Sequence, residues 1–362
     1  MNLLKTTLAS LLILFLISCK DEVKKIPPKA KNTLPNFSSV NFKKIFKPAD
    51  SKLSREDSIR NILEDYYQNV WEGSNLWGGI IVAKGDKILL EKYRGFTDEA
   101  KQNPIDENTP LHIASISKTI TAMAILKLIE AGKIDLNQQI TTLFPNFPYP
   151  KIRIKDLLNH RSGLPKYEIF EEEIKPLPTE FSKKFITNQD ILNIIIRHKP
   201  ELTRESNTSF AYCNTNYALL ALVIEKVTQK PFPEAMQEMI FQPLGMKNTF
   251  VLTENKLSTA TPSFFSNGKI YPYNNLDLIY GDKNIYTTPQ DLLRFSQAMF
   301  SSNFLPKNLI KKVFKPYSNE KKGMKNYGLG IRMKIFDNGK ALTYHNGWWH
   351  GSNSVFVHLP ES

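Results

Sequence analysis

The sequence of 362 residues has only two cysteines, and its glycines and prolines form no repeat. Two cysteines, Cys19 and Cys213, are too few for a disulfide framework or a four-cysteine zinc site. The 16 glycines and 22 prolines follow no period, which excludes a collagen-like chain. Long apolar runs are missing too. The longest, residues 8–17, is too short for a membrane-spanning helix, which needs roughly 20 apolar residues.

The remaining composition is that of an ordinary globular protein. Hydrophobic residues make up 41% and charged residues 23% of the chain, which excludes a wholly disordered protein. The net charge of +13 is concentrated near the N-terminus, where residues 19–55 hold ten basic and three acidic side chains. We find no nucleic-acid-binding motif. The basic segment instead fits anionic lipid or cell-wall polymer, so no nucleic-acid partner is expected.

The N-terminus reads as a targeting segment. Lys5 precedes the apolar run, and residues 16–19, Leu-Ile-Ser-Cys, resemble the lipobox of bacterial lipoproteins. We therefore predict a lipoprotein signal peptide over residues 1–18, lipidation of Cys19 and a basic flexible tether over residues 19–54. This resemblance implies a lipid-anchored protein of the cell envelope, on its periplasmic or surface-exposed face. An ordinary secretory signal with a chance cysteine is the alternative.

The remaining sequence predicts one domain over residues 55–362. Helical spacing covers residues 55–71, and two apolar segments around Gly85-Asp86 predict a β-hairpin. Later segments predict helices, and strand character returns near the C-terminus. This order favours an α+β fold, an α/β sandwich whose antiparallel sheet joins both chain ends around an inserted helical lobe. The predicted helices are 115–131, 188–197, 215–228 and 289–300, and the late strands are 328–336, 341–345 and 352–359.

One motif opens a predicted helix. In Ser115-Ile116-Ser117-Lys118 the serine lies at the positive end of the helix dipole, which suits an oxyanion. Lys118 lies three positions later on the same face. A lysine in a desolvated pocket can act as the base for such a serine. Alone, the motif also fits a helix-capping serine followed by a solvated lysine.

Two further elements follow along the chain. Tyr212-Cys213-Asn214 precedes the helix predicted from residue 215, and a buried tyrosine with a capping asparagine would explain it equally well. His345-Asn346-Gly347 lies on a late predicted strand, where a structural histidine is the simpler interpretation.

Taken together and in this order, the three elements resemble the serine β-lactamase and penicillin-recognising superfamily. Its pattern is Ser-x-x-Lys, then Tyr-x-Asn, then Lys/His-x-Gly. Neighbouring segments at residues 157–165, 212–220, 243–246 and 287–292 are also similar to the family. The resemblance runs from about residue 60 to the C-terminus. It is nearest to the class C-like branch, which holds β-lactamases, D-aminopeptidases, DD-carboxypeptidases and esterases.

The resemblance implies a role for each matching residue. Ser115 becomes the acylated nucleophile, and Lys118 its base or proton partner. Tyr212 passes a proton to the leaving group and helps to activate the deacylating water. Asn214 hydrogen-bonds a substrate amide or Lys118.

The third motif is implied to bind substrate. His345 is expected beside the substrate carboxylate or Tyr212, and Gly347 belongs to the same substrate-binding strand. The backbone N–H groups of Ser115 and Trp348 would form the oxyanion hole. Many members have lysine where this chain has His345, and a histidine is charged only part of the time at pH 7.

That departure favours an esterase or D-amino-acid peptidase over a true β-lactamase. The expected enzyme is a serine hydrolase that acts through an acyl-serine on an ester, amide or peptide. Its substrates are expected to be small molecules, peptides or cell-wall fragments, and no metal or organic cofactor is expected. The alternative is a catalytically weak or inactive, surface-tethered binding or regulatory lipoprotein on the same fold.

Other interpretations of single residues remain open at this point. Cys213 could be a nucleophile, although no suitable histidine–asparagine pairing is visible in the sequence. His345, His350 and His358 could suggest a metal, but no H-E-x-x-H pattern accompanies them. Trp348-Trp349 is either core or an apolar wall for substrate.

The family pattern also predicts more chain after the third motif. In the resembled family, two further strands and a closing helix follow the strand that carries it, whereas here one predicted strand follows. We therefore expect that a C-terminal strand and helix are missing from the sequence as given. In that case residues 80–83 and 352–359 would present unpaired strand edges, and the domain would fold poorly and hydrolyse little.

Overall fold

The N-terminal elements are a helix and the hairpin on which it packs. In the computed structural model, which describes residues 53–320 and 323–359, helix α1 (Leu53–Tyr66) continues into a π-helical turn (Tyr67–Glu72). Strands β1 (Gly78–Lys84) and β2 (Lys87–Arg94) form the predicted hairpin. The predicted signal peptide, Cys19 and nearly all of the tether lie outside the described residues.

One arginine attaches α1 to the hairpin. The Arg60 guanidinium donates to the main-chain carbonyls of Ile88 and Leu89 at 2.9 and 3.2 Å. The ion pairs Lys87–Glu56 and Lys92–Glu64 join the same two elements at 3.1 and 2.9 Å. These contacts place the helix across β2.

The helical lobe between the hairpin and the late strands contains the core. Within it, α2 and α6 each have 11 of their 14 residues buried, so neither has the single apolar face of a surface helix. No helix in the described part of the chain is long and apolar enough to cross a membrane. The helices are α2 (Ser117–Glu130), α3 (Ile154–Leu158), α4 (Phe170–Glu173), α5 (Asn188–His198), α6 (Thr215–Thr228), α7 (Phe232–Met236), α8 (Pro289–Met299) and α9 (Lys307–Val313).

Two further sheets complete the fold. A three-stranded sheet has the order β3 (Leu111–His112), β5 (Ile285–Thr287) and β4 (Phe250–Val251). In a four-stranded antiparallel sheet, the strands lie side by side in the same order as in the sequence. The predicted α+β class is confirmed. The strands of this last sheet are β6 (Lys325–Tyr327), β7 (Arg332–Ile335), β8 (Ala341–Trp349) and β9 (Ser352–His358).

The pairing differs from the single sheet expected from both chain ends. In the described residues, β1 and β2 pair only with each other, and β6–β9 form a separate sheet. Strand β9 lies at the edge of that sheet, with Val355, Val357 and Leu359 exposed. The expectation about a missing strand and helix stays a prediction.

Three predicted boundaries shift for local reasons. The strand predicted over residues 328–336 is interrupted by Gly330, whose φ of +81° lies in the left-handed region, so β7 begins only at Arg332. Strand β8 runs on through the third motif to Trp349 instead of ending at His345. The helix predicted from Ser115 begins as a tight 3₁₀ turn (Ala114–Ile116), and the α-helix starts at Ser117.

Candidate active site

Ser115 lies in the 3₁₀ turn that leads into α2. The preceding residue, Ala114, is fully buried with a φ of +45°, a conformation that costs an L-residue roughly 1–2 kcal/mol. Surrounding hydrogen bonds hold the turn: Ile113 N–H donates to the Ile285 carbonyl at 3.1 Å, and Ile116 N–H donates to the Ile113 carbonyl at 3.2 Å. The sharp turn leaves Ser115 partly exposed at the head of a buried helix.

Lys118 reaches Ser115 from the first turn of α2. Its side chain is completely buried, and its Nζ lies 2.9 Å from Ser115 Oγ and 2.7 Å from the main-chain oxygen of Asp282. No carboxylate lies within 4 Å of this Nζ in the described part of the chain. The structure therefore shows a desolvated lysine in direct contact with the serine, not the solvated lysine of the simpler interpretation.

Tyr212 lies beside Lys118. The centroid of its ring lies 5.1 Å from Lys118 Nζ. The ring of His160 packs 4.4 Å away, and His160 Nδ1 accepts a hydrogen bond from the Cys213 N–H at 3.2 Å. His160 thereby fixes the backbone of the second motif just before α6 begins. Burial, followed by the positive charges of Lys118 and Arg332, holds the pKa of His160 well below its usual value.

Asn214 has a partner that the sequence did not predict. Its side-chain amide donates to the Glu168 carboxylate, and no hydrogen bond joins it to Lys118. The amide oxygen Oδ1 is buried and accepts no hydrogen bond from the described residues. Of the two partners expected for Asn214, Lys118 is therefore not hydrogen-bonded to it, and the hydrogen bond to a substrate amide stays a prediction.

The third motif approaches the nucleophile through its glycine. A Cβ on Gly347 would lie 2.2 Å from both the Ile113 carbonyl oxygen and Ser354 Oγ, a distance that real Cβ atoms do not reach. Ser354 Oγ itself donates to the Ile113 carbonyl at 2.7 Å. A side chain at this position would push β8 away from the Ser115 turn. Trp348, whose backbone N–H we expect in the oxyanion hole, follows Gly347 on the same strand.

His345 lies deeper than expected. It is fully buried, its Nδ1 lies 2.9 Å from the Asn346 carbonyl oxygen, and its Nε2 lies 3.2 Å from the Tyr327 hydroxyl. Because a carbonyl only accepts, Nδ1 carries the proton and Nε2 accepts from Tyr327. Burial, followed by the positive charges of Arg332 and Lys118, holds the pKa of His345 well below its usual value. His345 does lie beside Tyr212, with ring centroids 6.2 Å apart, but as a neutral, buried side chain rather than a partly charged one.

A different cation lies at the site. The Cζ of Arg332, on β7, lies 4.7 Å from the centroid of the Tyr212 ring, and its guanidinium makes no hydrogen bond or salt bridge with the described residues. No motif marks Arg332. Strand β7 pairs with β8, and this pairing sets Arg332 opposite Tyr344 and next to His345. Only that pairing could have indicated that Arg332 lies at the site.

Sequence reasoning also missed the polar network behind Lys118. Asp282, whose main-chain oxygen accepts from Lys118, has a carboxylate that accepts from the Tyr167 hydroxyl at 2.7 Å. Lys283 Nζ donates to the same hydroxyl at 2.5 Å. All three side chains are buried. Tyr167 lies in a 3₁₀ turn (Tyr167–Ile169) and the other two lie just before β5. Neither segment carries a recognised motif, so no signal in the sequence marks them.

The structure also decides between the other interpretations. Cys213 is buried, its Sγ lies 3.4 Å from the Pro165 carbonyl oxygen, and burial raises the pKa of its thiol to about 11. A thiol that stays protonated is a poor nucleophile. Of the two tryptophans, Trp348 has 71% of its surface exposed, whereas Trp349 donates to Asp277 Oδ1 at 2.6 Å.

The three histidines considered for a metal have separate partners. His345 bonds to Tyr327, His350 Nε2 lies 2.8 Å from Asp277 Oδ1, and the ring of His358 stacks 3.5 Å from that of Phe300. No group of three or more potential metal ligands converges in the part of the chain that the structure describes.

Comparison with known proteins identifies this fold. The chain is 27% identical over 315 residues to a penicillin-binding protein of Bacillus subtilis (strain 168), covering 82% of this chain and 68% of that one. The crystal structure of a penicillin-binding protein from Bacillus halodurans superposes with a TM-score of 0.69 at 24% identity, covering 83% of this chain and 90% of that one.

A second similar structure is the D-amino acid amidase from Ochrobactrum anthropi SV3 complexed with L-phenylalanine. It has a TM-score of 0.63 at 25% identity and covers 84% of this chain and 86% of that one. Fold and relatives together define a serine hydrolase of the kind that forms an acyl-enzyme. The model of the beta-lactamase family matches residues 64–362, so the chain belongs to the beta-lactamase family.

Proposed function

We propose that this protein hydrolyses a small ester, amide or peptide through a covalent ester on Ser115. The observation that carries the proposal is the contact of Ser115 Oγ with the buried Lys118 Nζ at 2.9 Å. A serine hydroxyl is a weak nucleophile until a base takes its proton. Lys118 is positioned to take it, and the Asp282 carbonyl fixes the lysine from its other side.

The proposed reaction has two steps. Ser115 Oγ attacks the substrate carbonyl carbon while its proton passes to Lys118. The bond to the leaving group then breaks, and the proton is delivered to the departing nitrogen or oxygen by way of Tyr212. Water then attacks the carbonyl carbon of the acyl-serine and passes one proton along the same residues to Ser115 Oγ. The ester bond to Oγ breaks, the acid product leaves and the Ser115 hydroxyl is restored. Backbone N–H groups of Ser115 and Trp348 would stabilise the oxyanion in both steps.

The charges at the site favour an esterase or D-amino-acid peptidase over a β-lactamase. His345 is neutral and turned into the core, so it supplies no charge to a substrate carboxylate. The similar D-amino acid amidase supports small amides as one substrate class.

Replacement of the nucleophile tests the proposal. Ser115→Ala and Lys118→Ala should each remove most hydrolysis of p-nitrophenyl acetate, and Ser115→Ala should abolish labelling by a fluorophosphonate. Ser258→Ala, an exposed serine far along the chain, is the matched control and should behave as wild type. Wild-type turnover by Ser115→Ala would refute the assignment. Stoichiometric labelling without turnover would instead support the binding or regulatory protein.

We also propose that the enzyme is attached to a membrane of the cell envelope by lipid on Cys19. The lipobox-like residues 16–19 and the basic segment behind them support this placement. Cys19→Ala should abolish incorporation of labelled palmitate and release the protein from the membrane fraction. Complete retention of Cys19→Ala in membranes would contradict the proposal.

A further inference from the structure

His160 holds the two peptide groups on either side of Tyr212. Its main-chain oxygen accepts from the Ala211 N–H at 2.8 Å, and its Nδ1 accepts from the Cys213 N–H at 3.2 Å. The φ of His160 is +57°, a left-handed conformation that is uncommon for residues other than glycine. One residue in an unusual backbone conformation therefore holds the chain before and after Tyr212.

The partners of the His160 ring determine where its proton lies. A backbone N–H only donates, so Nδ1 accepts and the neutral ring carries its proton on Nε2. The Asn216 amide also donates to Nδ1, at 3.1 Å, and Ser162 Oγ donates to Asn216 Oδ1 at 2.6 Å, which orients that amide. Burial, followed by the positive charges of Lys118 and Arg332, keeps the pKa of His160 low and the ring neutral.

The other ring nitrogen of His160 has no hydrogen-bond partner. Nε2 is buried, and no atom of the described residues accepts its N–H. A histidine that only fills a core usually bonds through both nitrogens, because an unpaired buried donor is costly. Here the acceptor bond to the second motif is made and the donor is left unpaired. The ring lies among four aromatic side chains at centroid distances of 4.4 to 5.9 Å, namely Tyr212, Tyr327, Tyr217 and Phe210.

Tyr212 needs such support because its hydroxyl must reach the leaving group. In the proposed reaction Tyr212 delivers a proton to the departing atom, and a general acid works only within hydrogen-bond reach of that atom. The Tyr212 hydroxyl makes no hydrogen bond with the part of the chain that the structure describes. Its position therefore depends on its backbone and on the packing of its ring, and His160 contributes to both.

We propose that His160 is the positioning residue that directs the Tyr212 hydroxyl towards the leaving group. This inference rests on the proposed function and adds to it the residue that makes proton delivery effective. It predicts a specific defect. Without the acceptor at His160, leaving groups that need a proton should depart slowly, while the attack of Ser115 on the carbonyl carbon is retained. A generally loosened fold would slow both.

Two variants separate the hydrogen bond from the rest of the side chain. His160→Gly and His160→Asn both remove the ring, and both new residue types tolerate a left-handed backbone. Only asparagine keeps an acceptor, an oxygen bonded to Cγ as Nδ1 is. We would compare kcat/KM for phenyl acetate and p-nitrophenyl acetate, which form the same acyl-enzyme. p-Nitrophenolate leaves readily as an anion, whereas the more basic phenolate gains more from a proton donor.

The expected result is a change in the ratio of the two kcat/KM values. His160→Gly should lower the ratio of phenyl to p-nitrophenyl acetate by about tenfold, a part of the roughly 10²- to 10⁴-fold that general acids contribute. His160→Asn should keep most of the wild-type ratio. Both variants should react with a fluorophosphonate at near the wild-type rate, which also counts the folded sites. His198→Asn, the same change at a half-buried histidine of α5, is the matched control and should keep the full ratio.

A double-mutant cycle shows whether His160 acts through Tyr212. Tyr212→Phe should itself lower the ratio, and adding His160→Gly should lower it no further. If His160→Gly does not fold, the ¹⁵N chemical shifts of the wild-type histidines decide instead. The signal that is missing from His160→Asn should be that of a neutral ring protonated on Nε2 at pH 7. A ring protonated on Nδ1 cannot accept from the Cys213 N–H and would overturn the proposal.

The outcomes separate this inference from the proposed function. An unchanged ratio in a folded His160→Gly, an equally low ratio in His160→Asn, or a further fall in the double variant would overturn the positioning role. If Ser115→Ala is inactive on both esters, the acyl-serine mechanism stands without it. If Ser115→Ala keeps its activity, the proposed function itself fails.

Discussion

Gly347 offers a sharp test of how the third motif is placed against the nucleophile. A Cβ at this position would lie 2.2 Å from the Ile113 carbonyl oxygen and from Ser354 Oγ. Strand β8 and the Ser115 turn would have to separate by about 0.8 Å to reach 3.0 Å, the limit that real Cβ atoms respect. The Ile113 contact is to backbone, so no side-chain rotation relieves it.

Such a shift displaces Trp348 N–H from the Ser115 turn by a similar amount. Misplacement on the order of 1 Å can cost about 100-fold in rate. We therefore expect Gly347→Ala to lower kcat/KM for p-nitrophenyl acetate, and the rate of fluorophosphonate labelling, by about that factor. The fold should survive, as checked by a single cooperative urea transition.

The matched control is Gly73→Ala. Gly73 has an ordinary φ of −76°, and a Cβ there would meet no atom within 4 Å. This variant should label and turn over at the wild-type rate. If Gly347→Ala labels as fast as Gly73→Ala, β8 is not packed against the nucleophile as described, and the assignment of the oxyanion hole to Trp348 loses its support.

Two further predictions concern stability. Burial lowers the pKa of His112 to about 3 and holds those of His160 and His345 well below 6.5, so all three are neutral in the folded protein and gain protons on unfolding below pH 6.5. The stability that these neutral histidines contribute is present above pH 6.5 and is lost as pH falls. At pH 5 the free energy of unfolding should be lower by about 2 kcal/mol for each histidine. Urea unfolding at pH 7 and pH 5 measures this loss, and equal free energies of unfolding would contradict it. Tyr327→Phe leaves His345 Nε2 buried without a donor and should cost about 1–3 kcal/mol of unfolding free energy, whereas Tyr317→Phe, which removes an exposed hydrogen bond to the Lys312 carbonyl, should cost less.

The sequence predicts the elements whose pattern is local. The helix expected over residues 215–228 matches α6, and the hairpin around Gly85-Asp86 matches β1 and β2. Both predictions succeed because an apolar run or a turn dipeptide is a signal contained in one short segment. The two-residue strands β3 and β4 were missed, since a pair of residues has no periodicity. The 3₁₀ turn at Ser115 depends on Ala114 adopting a left-handed conformation, which its residue type does not favour.

The same distinction applies to the site. Ser115, Lys118 and Tyr212 were found because their motifs are short and their order is characteristic, and the structure brings them together. Glu168 and Arg332 come from segments without a motif. Tertiary packing alone brings Glu168 to Asn214 and Arg332 to Tyr212. The burial of His345 was missed for the same reason, because its depth is set by the strands around it.

The hydrogen bonds that fix α2 have a consequence for when the enzyme becomes active during synthesis. Lys118 donates to a carbonyl 164 residues further along the chain, and Thr121 and Thr119 to carbonyls at separations of 160 and 211 residues. Ser115 therefore leaves the ribosome long before the segments that orient its base exist. Contacts so distant in sequence form late in folding. We therefore expect a nascent or unfolded chain to be inactive, and hydrolysis to begin only when the last strands pack against the helix.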